Sequence, residues 1–214
     1  MTNHAHITVV LDRTGSMQDI RDDVIGGFNG FLAAQQAEPI PATLTLVQFD
    51  SQDPYEVLHA ARPIAQVPPL TAETYVPRAS TPLYDAIGRG ILDLEATVAR
   101  LPEAERPAKV VFVIVTDGHE NASVEFDRAR VLALIEAKRG LGWEFVFLSA
   151  DPESFDDAQR VGVKSESRLH FKKSAQGNAR AWASVSAQVV EYRSGRAQSV
   201  EFGDADRDAQ EQAE

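Results

Sequence analysis

The sequence contains no cysteine, no long apolar run and no cluster of basic residues, and each absence excludes a class of protein. Without cysteine the chain cannot form disulfides, which fits a reducing compartment. No apolar run approaches the roughly 20 residues that a membrane-spanning helix needs. The net charge of −11 provides no basic surface for nucleic acid or anionic lipid. We therefore expect a protein that binds neither nucleic acid nor a membrane.

The first six residues have neither the basic segment nor the apolar core of a secretory signal peptide. Together with the absence of cysteine, this predicts a cytoplasmic protein. His4 and His6 lie on this N-terminal extension, and we interpret both as surface residues rather than as metal ligands.

The hydrophobic fraction of 43% is typical of a globular protein, and 214 residues are enough to bury one good core. We expect a single domain over residues 1–194. After Ser194 the apolar periodicity stops, and residues 201–214 contain six acidic residues and one arginine, a net charge of −5. Residues 195–214 are therefore predicted to be an acidic, disordered tail.

Short apolar runs alternate with helical periodicities along the domain, which predicts a doubly wound α/β sheet with right-handed connections. The connection at residues 50–54 is too short for a helical crossover, so the second and third strands should form an antiparallel hairpin. Thr81 is predicted to cap the second helix, with Pro82 at its first position. The predicted strands are 7–11, 43–49, 55–64, 109–115, 143–148 and 168–171, and the predicted helices are 17–36, 82–101, 126–138, 152–161 and 178–192.

The first predicted strand breaks into the stretch Leu11-Asp12-Arg13-Thr14-Gly15-Ser16-Met17, just before a helical pattern begins. A carboxylate and two hydroxyls, from Asp12, Thr14 and Ser16, place oxygen ligands around one point. Oxygen-only clusters suit hard cations such as Mg²⁺, Mn²⁺ or Ca²⁺, whereas zinc or copper would recruit His or Cys. The stretch offers neither of those two residues.

The spacing Asp12-x-Thr14-x-Ser16 resembles the metal-ion-dependent adhesion site (MIDAS) of the von Willebrand factor A (VWA) family, whose usual form is Asp-x-Ser-x-Ser. Two further family elements have counterparts here, namely Thr81 before a helix and Asp117 after a late apolar strand. The resemblance covers about residues 5–193 and is closest to bacterial, intracellular, single-domain members. It implies a Rossmann-like three-layer sandwich, with helices on both faces of a mostly parallel sheet that has one antiparallel edge strand.

The resemblance also implies a role for each site residue. Ser16 and Thr14 would bind the metal directly, and Thr81 would join them in the ligand-engaged form. Asp12 and Asp117 would act largely through bound water. Mg²⁺ tolerates such water-rich shells, so it is the expected cofactor, with Mn²⁺ or Ca²⁺ as alternatives.

A site with few direct anionic ligands leaves the cation electrophilic, with an open position for an acidic residue of a partner protein. The resemblance therefore implies a divalent-cation-dependent protein–protein interaction module and no enzyme activity. Family members of this kind work with AAA+ ATPases or with stress-response complexes, including tellurite-resistance systems. These assemblies are the candidate partners, and the sequence does not choose among them.

Two alternatives remain open. The first is a metal-dependent phosphohydrolase or phosphotransferase with Asp12 as nucleophile. Haloacid-dehalogenase-type enzymes carry a second Asp two residues later, and here that position is Thr14, so the acid/base partner is missing. The second alternative is a structural VWA subunit that does not use metal.

Two neighbouring features have more than one interpretation. Arg13, at the variable position of the motif, is either an exposed side chain or a contact for an acidic partner at the rim of the site. His119, Glu120 and Asn121 follow the Asp117-Gly118 pair and border the site, but a turn leading into a helix explains them equally well. We do not count His119 as a ligand.

Overall fold

The computed structural model describes residues 4–151 and 158–213. Within these residues the strands join one sheet, in the order β3-β2-β1-β4-β5-β6. The strands are β1 (Ala5–Asp12), β2 (Ala42–Phe49), β3 (Glu56–Pro63), β4 (Lys109–Thr116), β5 (Trp143–Ser149) and β6 (Arg168–His170).

All neighbouring strands are parallel except β2 and β3, which form the predicted antiparallel hairpin at one edge. β1 and β4 lie in the centre, and β1 is buried along its whole length. A strand that is covered on both faces needs an almost continuous apolar sequence, which is why these two strands could be recognised from composition alone.

Helices cover both faces of the sheet, as the predicted α/β sandwich requires. The helices are α1 (Arg21–Ala37), α2 (Leu83–Arg100), α3 (Arg128–Arg139), α4 (Ala175–Ser194) and α5 (Asp204–Glu211). On one face α1 packs against α4, where the rings of Phe28 and Phe31 lie 5.9 and 5.6 Å from the ring of Trp182. On the other face Ile87 of α2 and Ile135 of α3 share a core with the sheet.

The helix starts differ from their predicted positions. Residues 15–20 form a 3-10 helix, so α1 begins at Arg21 rather than at Met17. α2 begins at Leu83, and the Thr81 side chain does not cap it. The prediction of Thr81 as the cap is wrong because other side chains satisfy the first turn. Tyr84 N–H donates to Glu120 Oε2 at 2.9 Å, and Asp85 N–H donates to Ser123 Oγ at 3.1 Å.

The helix predicted over residues 152–161 lies mainly outside the described residues, and residues 158–160 at its end are helical. Among the helices within 4–151 and 158–213, none is long and apolar enough to cross a membrane.

His6 is buried in β1, so its interpretation as a surface residue is wrong. Its ring nitrogens lie 2.8 Å from Thr43 Oγ1 and 3.1 Å from Thr8 Oγ1. Burial, with a smaller contribution from His4, lowers the pKa of His6 to about 4. The strand simply begins earlier than predicted and carries the histidine into the sheet.

The structure also differs from the expectation of a disordered tail over residues 195–214. Val200 and Phe202 are buried in the same core as α1 and α4, and α5 follows them. Phe202 N–H donates to the carbonyl of Glu166 at 2.7 Å, and the Ser167 hydroxyl donates to the carbonyl of Val200 at 2.8 Å. These two apolar side chains and the hydrogen bonds beside them help to attach a segment whose average composition is polar.

Candidate metal centre

The two acidic residues of the motif lie at the carboxyl ends of neighbouring strands. Asp12 is the last residue of β1, and Asp117 directly follows β4. Leu11 pairs with Val115, so both chains leave the sheet at the same level. From this central pair the strand order runs outward in opposite directions, with β2 and β3 beyond β1 and with β5 and β6 beyond β4. Such a reversal opens a crevice at the carboxyl ends of the strands, where open α/β sheets bind ligands.

The carboxylate of Asp12 organises the loop that follows β1. Its Oδ1 accepts a hydrogen bond from the backbone N–H of Thr14 at 2.7 Å, and its Oδ2 accepts one from the Thr116 hydroxyl at 2.6 Å. The first bond closes an Asx-type turn, which bends the chain sharply out of the strand. Asp12 is fully buried, and both of its oxygens are held by the protein.

The hydroxyls of the motif link this loop to Asp117. The Thr14 Oγ1 lies 3.2 Å from the Ser16 Oγ, and the Ser16 hydroxyl donates to Asp117 Oδ1 at 2.5 Å. Although Ser16 and Asp117 are 101 residues apart in sequence, these three side chains therefore form one continuous row of oxygen atoms.

Thr81 borders the same space. A Cβ placed on Gly118 would lie 3.6 Å from both the Ser16 Oγ and the Thr81 Oγ1, so these two hydroxyls flank the glycine. The Thr81 backbone is fixed by a pair of hydrogen bonds, since its N–H donates to Asn121 Oδ1 at 2.9 Å and its carbonyl accepts from Asn121 N–H at 3.1 Å. The structure thus brings together all five residues that the resemblance indicated.

The cluster concentrates negative charge away from water. Burial raises the pKa of Asp12 to about 7, and the nearby charge of Asp117 adds to the effect, although hydrogen bonds from Thr116 and Thr14 oppose it. Tyr75 supports the strand end, because its hydroxyl donates to the carbonyl of Asp12 at 2.6 Å. Burial raises the pKa of Tyr75 well above its ordinary value, so it stays a donor.

A lysine that the sequence analysis did not single out contacts this cluster. Lys173 Nζ lies 2.9 Å from Asp117 Oδ2, an ion-pair distance, while Oδ2 is buried and has no partner in hydrogen-bond geometry. The contact is therefore an ion pair without a well-formed hydrogen bond. A usable signal existed, since Lys172 and Lys173 directly follow the predicted last strand and so fall at the carboxyl edge of the sheet.

Arg13 is buried, so neither interpretation of it as an exposed or rim residue is correct. Its guanidinium donates to Asp50 Oδ2 at 2.7 Å and to Gln48 Oε1 at 3.1 Å, and it also pairs with Glu56. These partners belong to β2, β3 and the hairpin between them. Arg13 therefore fixes the loop to the side of the sheet opposite β4.

Asp50 is the centre of this second network. Burial raises its pKa, but hydrogen bonds from the backbones of Gln52 and Asp53 and from Arg78 and Arg13 outweigh burial, so the pKa lies below its ordinary value. Arg78 reaches Asp50 Oδ2 at 2.9 Å. Its own backbone N–H donates to the carbonyl of Arg13 at 2.8 Å, which ties the loop before Thr81 to the motif.

The loop after Asp117 is fastened to α2 by a buried carboxylate. Asp85 accepts hydrogen bonds from the backbone N–H groups of Val124, Glu125 and Phe126, at 2.9, 2.9 and 2.7 Å. Since these bonds satisfy three backbone donors at once, they hold the loop rigidly beside the site.

The residues that follow Gly118 have structural roles. Glu120 accepts from the N–H groups of Ala122 and Ser123 at 2.8 and 2.7 Å, besides Tyr84. His119 Nδ1 lies 3.7 Å from Asp151 Oδ2 and is half exposed.

The donor set fits a hard cation. Within the described part of the chain no three His, Cys, Asp or Glu residues converge on a point that could hold a metal. The cluster instead combines two carboxylates with three hydroxyls, and Asp117 Oδ2 is a buried acceptor without a hydrogen bond. Oxygen donors of this kind suit Mg²⁺, which retains several waters and needs few protein ligands.

Comparisons with known proteins identify the fold. No family model matches the sequence, and no curated protein matches it. Among solved structures, proximal thread matrix protein 1 from the mussel byssus, with a zinc-occupied MIDAS motif, has a TM-score of 0.59 at 16% identity over 87% of this chain and 46% of that one. This chain therefore spans less than half of the mussel protein's length.

Two further structures give the same result. The pilus adhesin SpaC from Lactobacillus rhamnosus GG has a TM-score of 0.64 at 14% identity, over 87% of this chain and 30% of SpaC. The manganese-loaded TRAP protein of Plasmodium vivax has a TM-score of 0.57 at 15% identity, over 81% of this chain and 70% of TRAP. All three are VWA-domain proteins, and sequence identities this low support a shared fold but not a shared function. The chain therefore has the von Willebrand factor A fold.

Proposed function

We propose that this chain is a divalent-cation-dependent protein-binding module. The residues that would hold the cation are Asp12, Thr14, Ser16, Thr81 and Asp117, and the partner would supply a carboxylate. The observation that carries the proposal is the row of oxygen atoms from Thr14 through Ser16 to Asp117, with the 3.2 and 2.5 Å separations given above.

The electrostatics of the cluster support cation binding. Asp12 and Asp117 are both buried at the ends of neighbouring strands, and burial of like charges is unfavourable unless a positive charge compensates them. A divalent cation would supply that charge, together with an electrophilic open position for an acidic ligand. The hydroxyl groups complete the coordination without neutralising the cation.

The neighbouring structures support a divalent cation in general, since one contains zinc in its MIDAS and another is loaded with manganese. We propose Mg²⁺ for this chain because every side chain of the cluster offers oxygen and none offers nitrogen or sulfur. Mn²⁺ and Ca²⁺ accept the same donors and serve as comparisons.

We propose binding rather than catalysis because of the environment of Asp12. A nucleophilic carboxylate needs an accessible oxygen and a nearby acid or base. Asp12 is fully buried, its oxygens accept hydrogen bonds from Thr14 and Thr116, and residue 14 offers a hydroxyl in place of a second carboxylate. A cytoplasmic location and an AAA+ ATPase or stress-response complex as partner remain predictions.

The experiment is a calorimetric titration of chelator-stripped protein with Mg²⁺, Mn²⁺ and Ca²⁺, each up to millimolar concentration. We expect one site per chain, weakened at least about tenfold by Ser16→Ala and by Asp117→Asn, by analogy with the loss of supporting groups at other metal sites. Ser80→Ala is the matched control, because it removes an exposed hydroxyl next to Thr81. Circular dichroism of each variant checks that the fold is retained.

A second step tests recognition of a carboxylate. A glutamate-containing peptide and its glutamine counterpart are titrated into protein that is saturated with Mg²⁺, and the titration is repeated with chelator. The proposal expects weak binding of the glutamate peptide alone, abolished by chelator. Absence of metal binding in the wild type, or equal binding by Ser16→Ala, would remove the basis of the proposal.

A further inference from the structure

Lys173 reaches the candidate metal centre from the far edge of the sheet. It lies between β6 and α4, and its side chain is 45% exposed, whereas the carboxylate of Asp117 is 0% exposed. The ammonium thus contacts the buried carboxylate from the solvent side. A divalent cation would approach from that same side.

The two oxygens of Asp117 are in different situations. Oδ1 accepts from Ser16, while Oδ2 has no hydrogen bond and faces Lys173 Nζ at 2.9 Å. An uncompensated buried carboxylate is costly, so in the metal-free chain the ammonium is the positive charge that stabilises Oδ2. The same oxygen belongs to the proposed cation site.

The backbone beside Lys173 is anchored, while its side chain has freedom to move. Ser174 N–H donates to the carbonyl of Lys172 at 2.8 Å, and the Ser174 hydroxyl caps α4 by accepting from Gly177 N–H at 3.1 Å. Lys172 Nζ donates to the carbonyls of Glu211 and Ala213 at 3.0 and 2.6 Å. A lysine side chain has four flexible methylenes, so the ammonium can swing into solvent without moving this backbone.

We infer that Lys173 is a built-in counter-cation that competes with the divalent metal for Asp117 and thereby sets the metal affinity of the site. The inference rests on the proposed function. Binding of the metal beside Asp117 requires Lys173 to move away from Oδ2, because two cations next to one carboxylate repel each other strongly, whether the metal contacts it directly or through bound water. The free energy of the Lys173–Asp117 ion pair is lost when the metal binds, so this pair weakens the measured metal affinity.

The test compares Mg²⁺ affinity, measured by calorimetry, among the wild type and three variants. Lys173→Met keeps the apolar stem and removes the charge, and we expect binding about tenfold tighter, equivalent to 1.4 kcal/mol. Lys173→Arg keeps a positive charge and should stay within about threefold of wild type, on the same scale. Lys164→Met is the matched control, since Lys164 is exposed and borders a cavity with Trp143 at the opposite end of β5.

A second readout is the free energy of unfolding, measured first without metal and then with it. In chelator, urea unfolding of Lys173→Met should show lower stability than wild type, because Asp117 loses its counter-charge. Saturating Mg²⁺ should then stabilise Lys173→Met by a larger increment than it stabilises wild type. Lys164→Met should not show the larger stabilisation by Mg²⁺.

The outcomes separate this inference from the proposed function. If wild type binds Mg²⁺ and Lys173→Met binds it equally well, the inference is overturned and the proposed function stands. If only Lys173→Met binds, the inference is supported, but the proposed function fails for the wild-type chain, which its own lysine then holds in a metal-free state. If neither protein binds, both fail.

Discussion

Alanine at two adjacent glycines of α1 is expected to change stability in opposite directions. A Cβ on Gly27 would lie 2.0 Å from Cδ1 of Trp182, whereas a Cβ on Gly26 would have no atom within 4 Å. Replacing glycine by alanine inside a helix is favourable by about 1 kcal/mol. Gly26→Ala should therefore raise the free energy of unfolding by about that amount.

At position 27 the steric cost dominates. Trp182 is 2% exposed and packed between Phe28 and Phe31, so it cannot move aside without disturbing the contact between α1 and α4. Overpacking of this kind costs about 1–3 kcal/mol. Because the contact at position 27 is so short, we expect its cost to lie at the upper end of that range. After the gain in helix propensity, Gly27→Ala should lower the free energy of unfolding by about 2 kcal/mol.

Urea unfolding, followed by far-UV circular dichroism, measures both variants against wild type. A double-mutant cycle with Trp182→Leu then isolates the contact, because the cost of Gly27→Ala should largely disappear when the indole ring is absent. Equal stabilisation by the two alanines would refute the packing argument, as would a Gly27→Ala cost that persists unchanged in the Trp182→Leu background.

Three other changes test other parts of the structure. The pKa of His6 falls from 6.5 in the unfolded chain to about 4 in the folded one, so between these values the unfolded state binds the proton first and stability is lost as pH decreases. In urea unfolding, wild type should therefore lose about 3 kcal/mol more than His6→Gln between pH 7 and pH 4. Equal losses in the two proteins would contradict this. Asp85→Ala leaves three backbone donors without their acceptor; we expect about 3 kcal/mol lower stability and faster hydrogen exchange at residues 124–126, and unchanged exchange would count against the role of Asp85. Phe202→Ala should cost about 3 kcal/mol in thermal unfolding, while a tail without structure would show no change.

The central strands and the two carboxylates could be predicted from the sequence because their determinants are local. β1 and β4 are apolar runs, and Asp12 and Asp117 stand where those runs end. Parallel strands terminate at a common edge, so a residue at the end of a run is placed by the topology alone. The positions of these two carboxylates follow from strand ends, whereas Thr14, Ser16 and Thr81 were indicated by the resemblance to the VWA motif.

Contacts between distant segments could not be predicted in the same way. Arg13 is followed in sequence by Thr14, and nothing local indicates that its partner Asp50 lies 37 residues away. The cap of α2 was missed for the same reason, since Glu120 and Ser123 come from a loop about 40 residues further along the chain. Charged side chains have specific geometric requirements, and their burial depends on partners that only the folded chain brings together.

The C-terminal segment shows a limit of composition as a guide. Residues 195–214 are polar on average. Average composition does not show that Val200 and Phe202, on either side of Glu201, are spaced so that both enter the core. In an extended segment alternate side chains point the same way, so two apolar residues separated by one acid can bury while the acid stays in water. A period-2 pattern of this length is too short to be recognised against a polar background.

The orientation of neighbouring charges explains why one cation of this chain is available to the metal centre and another is not. Arg13 lies between Asp12 and Thr14 in sequence, yet its guanidinium turns toward β2 and β3, where Asp50 and Glu56 neutralise it. Asp117 lies on the other side of β1, next to β4, so Arg13 leaves it uncompensated. The charge that reaches Asp117 comes instead from Lys173, a flexible and half-exposed side chain. A buried arginine with a fixed network would have blocked the site, whereas a lysine on the solvent side can stabilise the metal-free cluster and still withdraw.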